Sequence, residues 1–150
     1  MLGVMIEFDS RTGYLAEGVH CMTLDEVARQ FAWNRRRQFL FEGFRRALDN
    51  LASAGCRAIL LDGSFVTAKE TPGDWDAAFD PVGVIPERLD PILIKYDDGR
   101  RAMRAKYLGD IFPWSAPAAG PNGALFRQFF QKDRDGIPKG IIEIKLQVLQ

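Results

Sequence analysis

Cysteine and histidine are scarce in this chain: Cys21, Cys56 and a single His20 among 150 residues. Two cysteines are too few for a disulfide scaffold and lack metal-site spacing, so both read as reduced thiols, in the core or near the surface. His20 has no recognisable partner in the sequence and reads as structural or exposed. Net charge is also absent: twenty basic residues balance twenty acidic ones. The molecule as a whole is therefore not drawn to nucleic acid or to a membrane surface. No segment approaches the roughly 20 apolar residues that span a bilayer, and no basic, then apolar leader opens the chain. These absences predict a cytoplasmic protein without a membrane partner. No internal repeat and no linker divides the sequence.

What is present fits one globular domain over residues 1–150, long enough to bury a real core. A composition that is 47% hydrophobic and 27% charged excludes a disordered chain. Charge is unevenly distributed despite the zero sum. Trp33 to Arg46 holds five arginines and one acid, whereas residues 62 to 98 hold nine acids and three bases. The arginine run Arg35-Arg36-Arg37 reads first as a solvated helix face and second as a nucleic-acid patch.

Residues 1 to 20 read as an irregular or extended arm. Thr23-Leu24-Asp25-Glu26 has capping-box spacing and predicts a helix to about Phe31. Asn34 offers a second N-cap, and Leu40, Phe44, Ala47, Leu48 and Leu51 recur at helical spacing up to Gly55. An N-terminal helical segment over about 23–54 follows. Ala58 to Leu61 predicts a buried strand, and Asp74 to Phe79, alternating polar and apolar, a second strand beside it. Further on, Pro86 to Leu93 predicts a short helix, Asp98 to Tyr107 a basic helix and Leu108 to Phe112 a strand. SAPAAGPNG at 115–123 is a breaker-rich loop, Leu125 to Gln131 a helix, and Ile141 to Leu146 a final strand. Asp133-Arg134-Asp135-Gly136 lacks the later glutamate of a calcium loop and reads as a hairpin turn.

The chemistry is concentrated in LDGSFVTAKETPGDWD, residues 61–76. Side chains i and i+2 of a strand share a face, so Asp74 and Asp76 project together with Trp75 opposite them. Two neighbouring carboxylates repel and raise each other's pKa unless a cation sits between them. A hard divalent ion, Mg²⁺ or Mn²⁺, suits all-oxygen ligands and completes its shell with waters and substrate phosphates. Gly63 lets backbone approach a ligand closely, the Ser64 hydroxyl and nearby N–H groups can hold phosphate oxygens, and Lys69 adds a point charge.

A strand, Gly63-Ser64, a ten-residue gap and Asp74-Trp75-Asp76 resemble the signature of the nucleotidyltransferase superfamily that includes DNA polymerase β and the minimal nucleotidyltransferases. Residues 56 to 80, the tail FFQKDRDGIPKGIIEI and the entry TLDEVARQF also resemble a family of small uncharacterised bacterial proteins with that fold. The resemblance implies a nucleotidyltransferase-like α/β (α+β) fold, a small mixed β-sheet flanked by helices. It also implies transfer of a nucleoside monophosphate from a nucleoside triphosphate to an acceptor hydroxyl, assisted by two metal ions. Asp74 and Asp76 would then be catalytic metal ligands, Gly63 and Ser64 the triphosphate-binding turn, and Asp110 the third carboxylate, which polarises the acceptor. Asp110 reads equally as a turn or strand-end residue, and Lys69 as a solvated loop charge.

The acceptor is left open among protein, RNA and small molecule, with the arginine-rich helix as the platform if it is RNA. The competing expectation is a catalytically silent nucleotidyltransferase-like module that binds a protein partner, as one member of a toxin–antitoxin or other defence pair.

Overall fold

The computed structural model describes residues 5–118 and 123–146. Thr23 opens α1 (Leu24–Phe31) through a reciprocal cap: its hydroxyl accepts from the Glu26 N–H at 3.1 Å, and the Glu26 carboxylate accepts from the Thr23 N–H at 3.0 Å. Asn34 opens α2 (Arg35–Ser53) by accepting from the Arg37 N–H at 2.9 Å. The apolar positions read from the sequence, Leu40, Phe44, Ala47, Leu48 and Leu51, form its buried face. Satisfying the otherwise free N–H groups at each start is worth about 1 kcal/mol per cap.

Five strands follow from the remaining apolar runs: β1 (Gly18–Cys21), β2 (Ala58–Asp62), β3 (Trp75–Phe79), β4 (Gly109–Pro113) and β5 (Gly140–Lys145). They form one sheet in the order β1-β5-β2-β3-β4. β2 is antiparallel to β3 and β5, while the outer pairs β1/β5 and β3/β4 are parallel. With α1, α2, α3 (Arg101–Tyr107) and α4 (Phe126–Phe129), this is a mixed fold of the α+β kind, a small mixed sheet flanked by helices. Among the described residues no helix is long and apolar enough to cross a membrane.

The period-two alternation of strand side chains separates two surfaces. One face, carrying Ile59, Leu61, Trp75, Ala77, Ile111, Ile142 and Ile144, packs with Val27, Phe31, Phe44 and Leu48 of α1 and α2 in the main core. The other face carries Leu60, Ala78 and Ile141, covered by Phe126 and Phe130. Two residues along from Leu60, Ala78 and Phe112 stand Asp62, Asp76 and Asp110, so the same face turns from apolar to acidic along its length.

Several elements depart from the sequence expectation. The arm contains β1, whose parallel partner β5 is 122 residues away, Gly18 against Gly140, and leaves no local signal. Pro86 to Leu93 is two separate 3₁₀ turns, Pro86–Arg88 and Pro91–Ile94, because Pro91 favours extended backbone at Asp90. The basic helix is shorter than 98–107: Asp98, Gly99 and Arg100 all have positive φ and break it before α3 begins. The expected helix at 125–131 reduces to a single turn, Phe126–Phe129. The 133–136 hairpin turn is present, with the Asp133 carboxylate accepting from the Asp135 and Ile137 N–H groups. Part of the 115–123 loop lies outside the described residues.

Candidate functional site

Three adjacent strands set three aspartates abreast. Asp62 on β2 is the register partner of Asp76 on β3, which is the register partner of Asp110 on β4. Asp74 immediately precedes β3, outside the ladder, and turns its carboxylate to the same place. Carboxylate oxygens of Asp74, Asp76 and Asp110 all lie within 4.8 Å of one another. The structure therefore brings together the three aspartates read from the sequence and adds Asp62 as a fourth beside them. Its position just before Gly63 was the available signal.

The turn after β2 requires glycine. Gly63 has φ +88°, and a Cβ there would meet Asp76 Oδ2 at 2.8 Å. Ser64 begins a 3₁₀ turn, Ser64–Val66, and lines the same cleft as Gly63, Lys69, Asp76 and Asp110. Lys69 is exposed, at the cleft wall. Beneath the acids, the Trp75 indole is fully buried and donates to the Tyr107 carbonyl at 2.8 Å. Phe44 meets it edge to face at 5.1 Å. This packing fixes β3 from the side opposite the carboxylates, as the alternation of Asp74-Trp75-Asp76 predicts.

The electrostatics differ sharply along the row. Burial, then Asp74, Asp62 and Asp110, push the Asp76 carboxyl up to about 7 against the opposing Lys139. Asp74 is also raised, by burial and Asp110, with Arg104, Lys69 and Arg36 opposing. Asp110 moves the other way. Burial alone would raise it, but hydrogen bonds from Arg104 and Arg100 outweigh that and hold it below the ordinary carboxylate range. Arg104 binds it with Nε to Oδ1 at 3.0 Å and Nη2 to Oδ2 at 2.7 Å, and Arg100 with Nε to Oδ1 at 3.0 Å. Arg104 reaches Asp110 from within α3, and Arg100 from the left-handed residue just before it, so helical spacing alone does not reveal the pair.

The raised carboxyl at Asp76 has a testable consequence for the metal-free protein. A carboxyl with a folded pKa above its unfolded value stabilises the fold fully below about pH 4 and loses that contribution as pH rises through about 7. Asp76→Asn, which mimics the protonated form, should then be more stable than the parent at pH 8 in a chelating buffer. The expected gain is about 1–3 kcal/mol, falling away as the pH is lowered to about 4. Urea unfolding at the two pH values checks this, and an equal difference at both would contradict it.

The arginine run behaves unlike a solvated face. Arg37 is fully buried, and Arg36 donates to the Pro72 and Gly73 carbonyls at 3.0 and 2.6 Å. Arg45 pairs with Glu42 and Asp49, and Arg46 donates to the Lys106 carbonyl. Of the five, only Arg35 is exposed without a hydrogen bond among the described residues. His20 has a partner the sequence did not reveal, the Ala16 carbonyl, 2.6 Å from Nε2. Both cysteines are free thiols, Cys56 buried and Cys21 exposed.

The donor set at the cleft floor is all oxygen and anionic, which suits a hard divalent cation. An acidic row next to a glycine-serine turn, on the open face of a mixed sheet, is a site with the chemistry to gather cations and phosphate oxygens. Residues 6–145 match the model of a family of unknown function, DUF6932, and the chain belongs to that family. No curated protein and no solved structure matches it.

Proposed function

We propose that the protein is a metal-dependent nucleotidyltransferase that moves a nucleoside monophosphate from a nucleoside triphosphate to an acceptor hydroxyl. The observation that carries this reading is the convergence of Asp74, Asp76 and Asp110 within 4.8 Å beside the Gly63-Ser64 turn. The resemblance of the Gly-Ser and Asp-x-Asp spacing to the nucleotidyltransferase superfamily points the same way. Asp74, Asp76 and Asp110 fit Mg²⁺ or Mn²⁺, which when bound would neutralise phosphate charge and polarise the bond to be broken.

The chain's own residues supply the rest. Gly63 admits the triphosphate close to backbone, Ser64 hydrogen-bonds its oxygens, and Lys69 adds positive charge at the cleft wall. Arg100, just before α3, and Arg104, within it, reach the cleft and can follow negative charge from Asp110 to the phosphates. Asp110, held strongly acidic, is better suited to orienting the acceptor hydroxyl than to keeping its proton. The acceptor oxygen attacks the α-phosphorus while its proton passes by way of Asp110 to solvent, the bond to the bridging oxygen breaks, and pyrophosphate leaves.

A second reading is a catalytically silent module that binds a protein partner, as in a toxin–antitoxin or defence pair. The double arginine clamp on Asp110 favours it, because the clamp neutralises the carboxylate on which transfer depends. Incubation with each labelled nucleoside triphosphate and Mg²⁺, in the presence of protein, RNA and small-molecule acceptors, separates the two. Label on an acceptor with release of pyrophosphate supports the transferase. Tight binding of metal and nucleotide without transfer supports the module.

A further inference from the structure

Lys139 lies outside the Gly-Ser and Asp-x-Asp motifs, yet it ends in the cleft. Its position is fixed by backbone on both sides. The Lys139 N–H donates to the Gln131 carbonyl at 2.9 Å, closing the 132–138 hairpin, and Gly140 opens β5 immediately after it. In the antiparallel β2/β5 ladder, Leu61 is the partner of Ile142 and Leu60 of Glu143. That ladder carries β5 past the end of β2, and Lys139, one residue before β5, lines the same cleft as Gly63 and Ser64.

The ammonium is held by Asp62, with Nζ 3.1 Å from Oδ2. Asp62 is buried at 3% exposure, and its Oδ1 is the sole buried side-chain oxygen or nitrogen without a hydrogen-bond partner among the described residues. An ion pair buried this way, with one oxygen unsatisfied, is less stabilising than a well-packed apolar pair of similar volume. Stability alone does not explain it. Lys139 keeps 17% of its side chain exposed, on the cleft side, and the described residues give its ammonium one hydrogen bond of the three it can donate.

We infer that Lys139 is a polyphosphate-binding side chain of this cleft, held at its wall by the ion pair with Asp62, with donors left for the phosphates of the bound substrate. The inference rests on the nucleotide reading proposed above and names a residue of that site which the Gly-Ser and Asp-x-Asp motifs do not contain. Lysine serves here as a point charge with rotatable donors, able to keep Asp62 and gain a phosphate oxygen at once.

Removing Lys139 alone would strand the buried Asp62, so the informative variant is the double substitution Asp62→Asn with Lys139→Met, which replaces the pair by neutral groups of similar size. Calorimetric titration with inorganic tripolyphosphate and with a nucleoside triphosphate, both with Mg²⁺, would be run on the parent, on Lys139→Arg and on the double variant. The expected result is an affinity for both probes about tenfold or more lower in the double variant. Its melting temperature should stay near that of the parent, and Lys139→Arg should remain within a few-fold of the parent's affinity. A double variant that binds both probes as tightly as the parent overturns the role of Lys139 and leaves the site reading intact. A parent that binds Mg²⁺ but neither polyphosphate overturns both.

Discussion

Arg37→Met is expected to lose about 3–5 kcal/mol of folding free energy, a large part of what a domain of this size has to spare. The guanidinium is completely buried and has no carboxylate in hydrogen-bond contact. It donates instead to four backbone carbonyls: Phe31 at 3.0 Å, Phe65 at 2.6 Å, Thr67 at 2.6 Å and Lys69 at 2.5 Å. Trp33 covers it at 3.6 Å from the ring centroid. Burial pulls its pKa down to about 10, so it stays charged at neutral pH. Three of the four carbonyls belong to the loop that follows Ser64, so this one side chain shapes the backbone from Phe65 to Lys69. Methionine fills much of the volume but leaves those carbonyls unpaired, at about 1–3 kcal/mol each before any relaxation. Arg37→Lys, with fewer donors and no planar fork, should fall between the two. Urea unfolding reads the effect directly, and a loss below about 1 kcal/mol for Arg37→Met would show that the loop holds its shape without the arginine.

Asp110→Asn should separate binding from chemistry. Triphosphate and metal can still rest on Asp74, Asp76 and the Gly63-Ser64 turn, and the substitution frees Arg100 and Arg104, which are 29% and 50% exposed and tolerate solvent. Nucleotide binding should therefore survive. Transfer to the acceptor, measured with labelled triphosphate, should fall by about 10²- to 10⁴-fold, the usual span for loss of a group that orients or accepts a proton. Transfer within a few-fold of the parent would exclude Asp110. Attention would then move to Glu143 and Asp62, which share its face of the sheet, and to Asp97 and Asp98 at the start of the 3₁₀ turn before α3.

Local chemistry explains what could be read from the sequence. The two N-caps, the buried stripe of α2, β2 and β3 are encoded in short windows, and so is the shared orientation of Asp74 and Asp76. Asp110 required the resemblance, because a lone aspartate between Gly109 and Ile111 carries no spacing of its own. What escaped is mostly long-range. β1 exists because β5 pairs with it across the chain, and Lys139 meets Asp62 over 77 residues. Arg37 is the sharpest case. In a run of three arginines nothing distinguishes the third from its neighbours, and only the path of the Phe65 to Lys69 loop makes it the buried one. The helix break at Asp98-Gly99-Arg100 was similarly hidden, since two of its three residues are ones that seldom take positive φ.

The most direct test of a metal-dependent nucleotide site is the coupling between its two ligands, measured by calorimetric titration of a nucleoside triphosphate with and without Mg²⁺. If Asp74 and Asp76 hold the ion that the phosphates complete, the parent should bind nucleotide about tenfold or more tightly with Mg²⁺ than without it. Asp74→Asn and Asp76→Asn should each abolish that coupling while the chain remains folded. Equal triphosphate affinity in the parent and in both variants, with Mg²⁺ present, would contradict the assignment of the site.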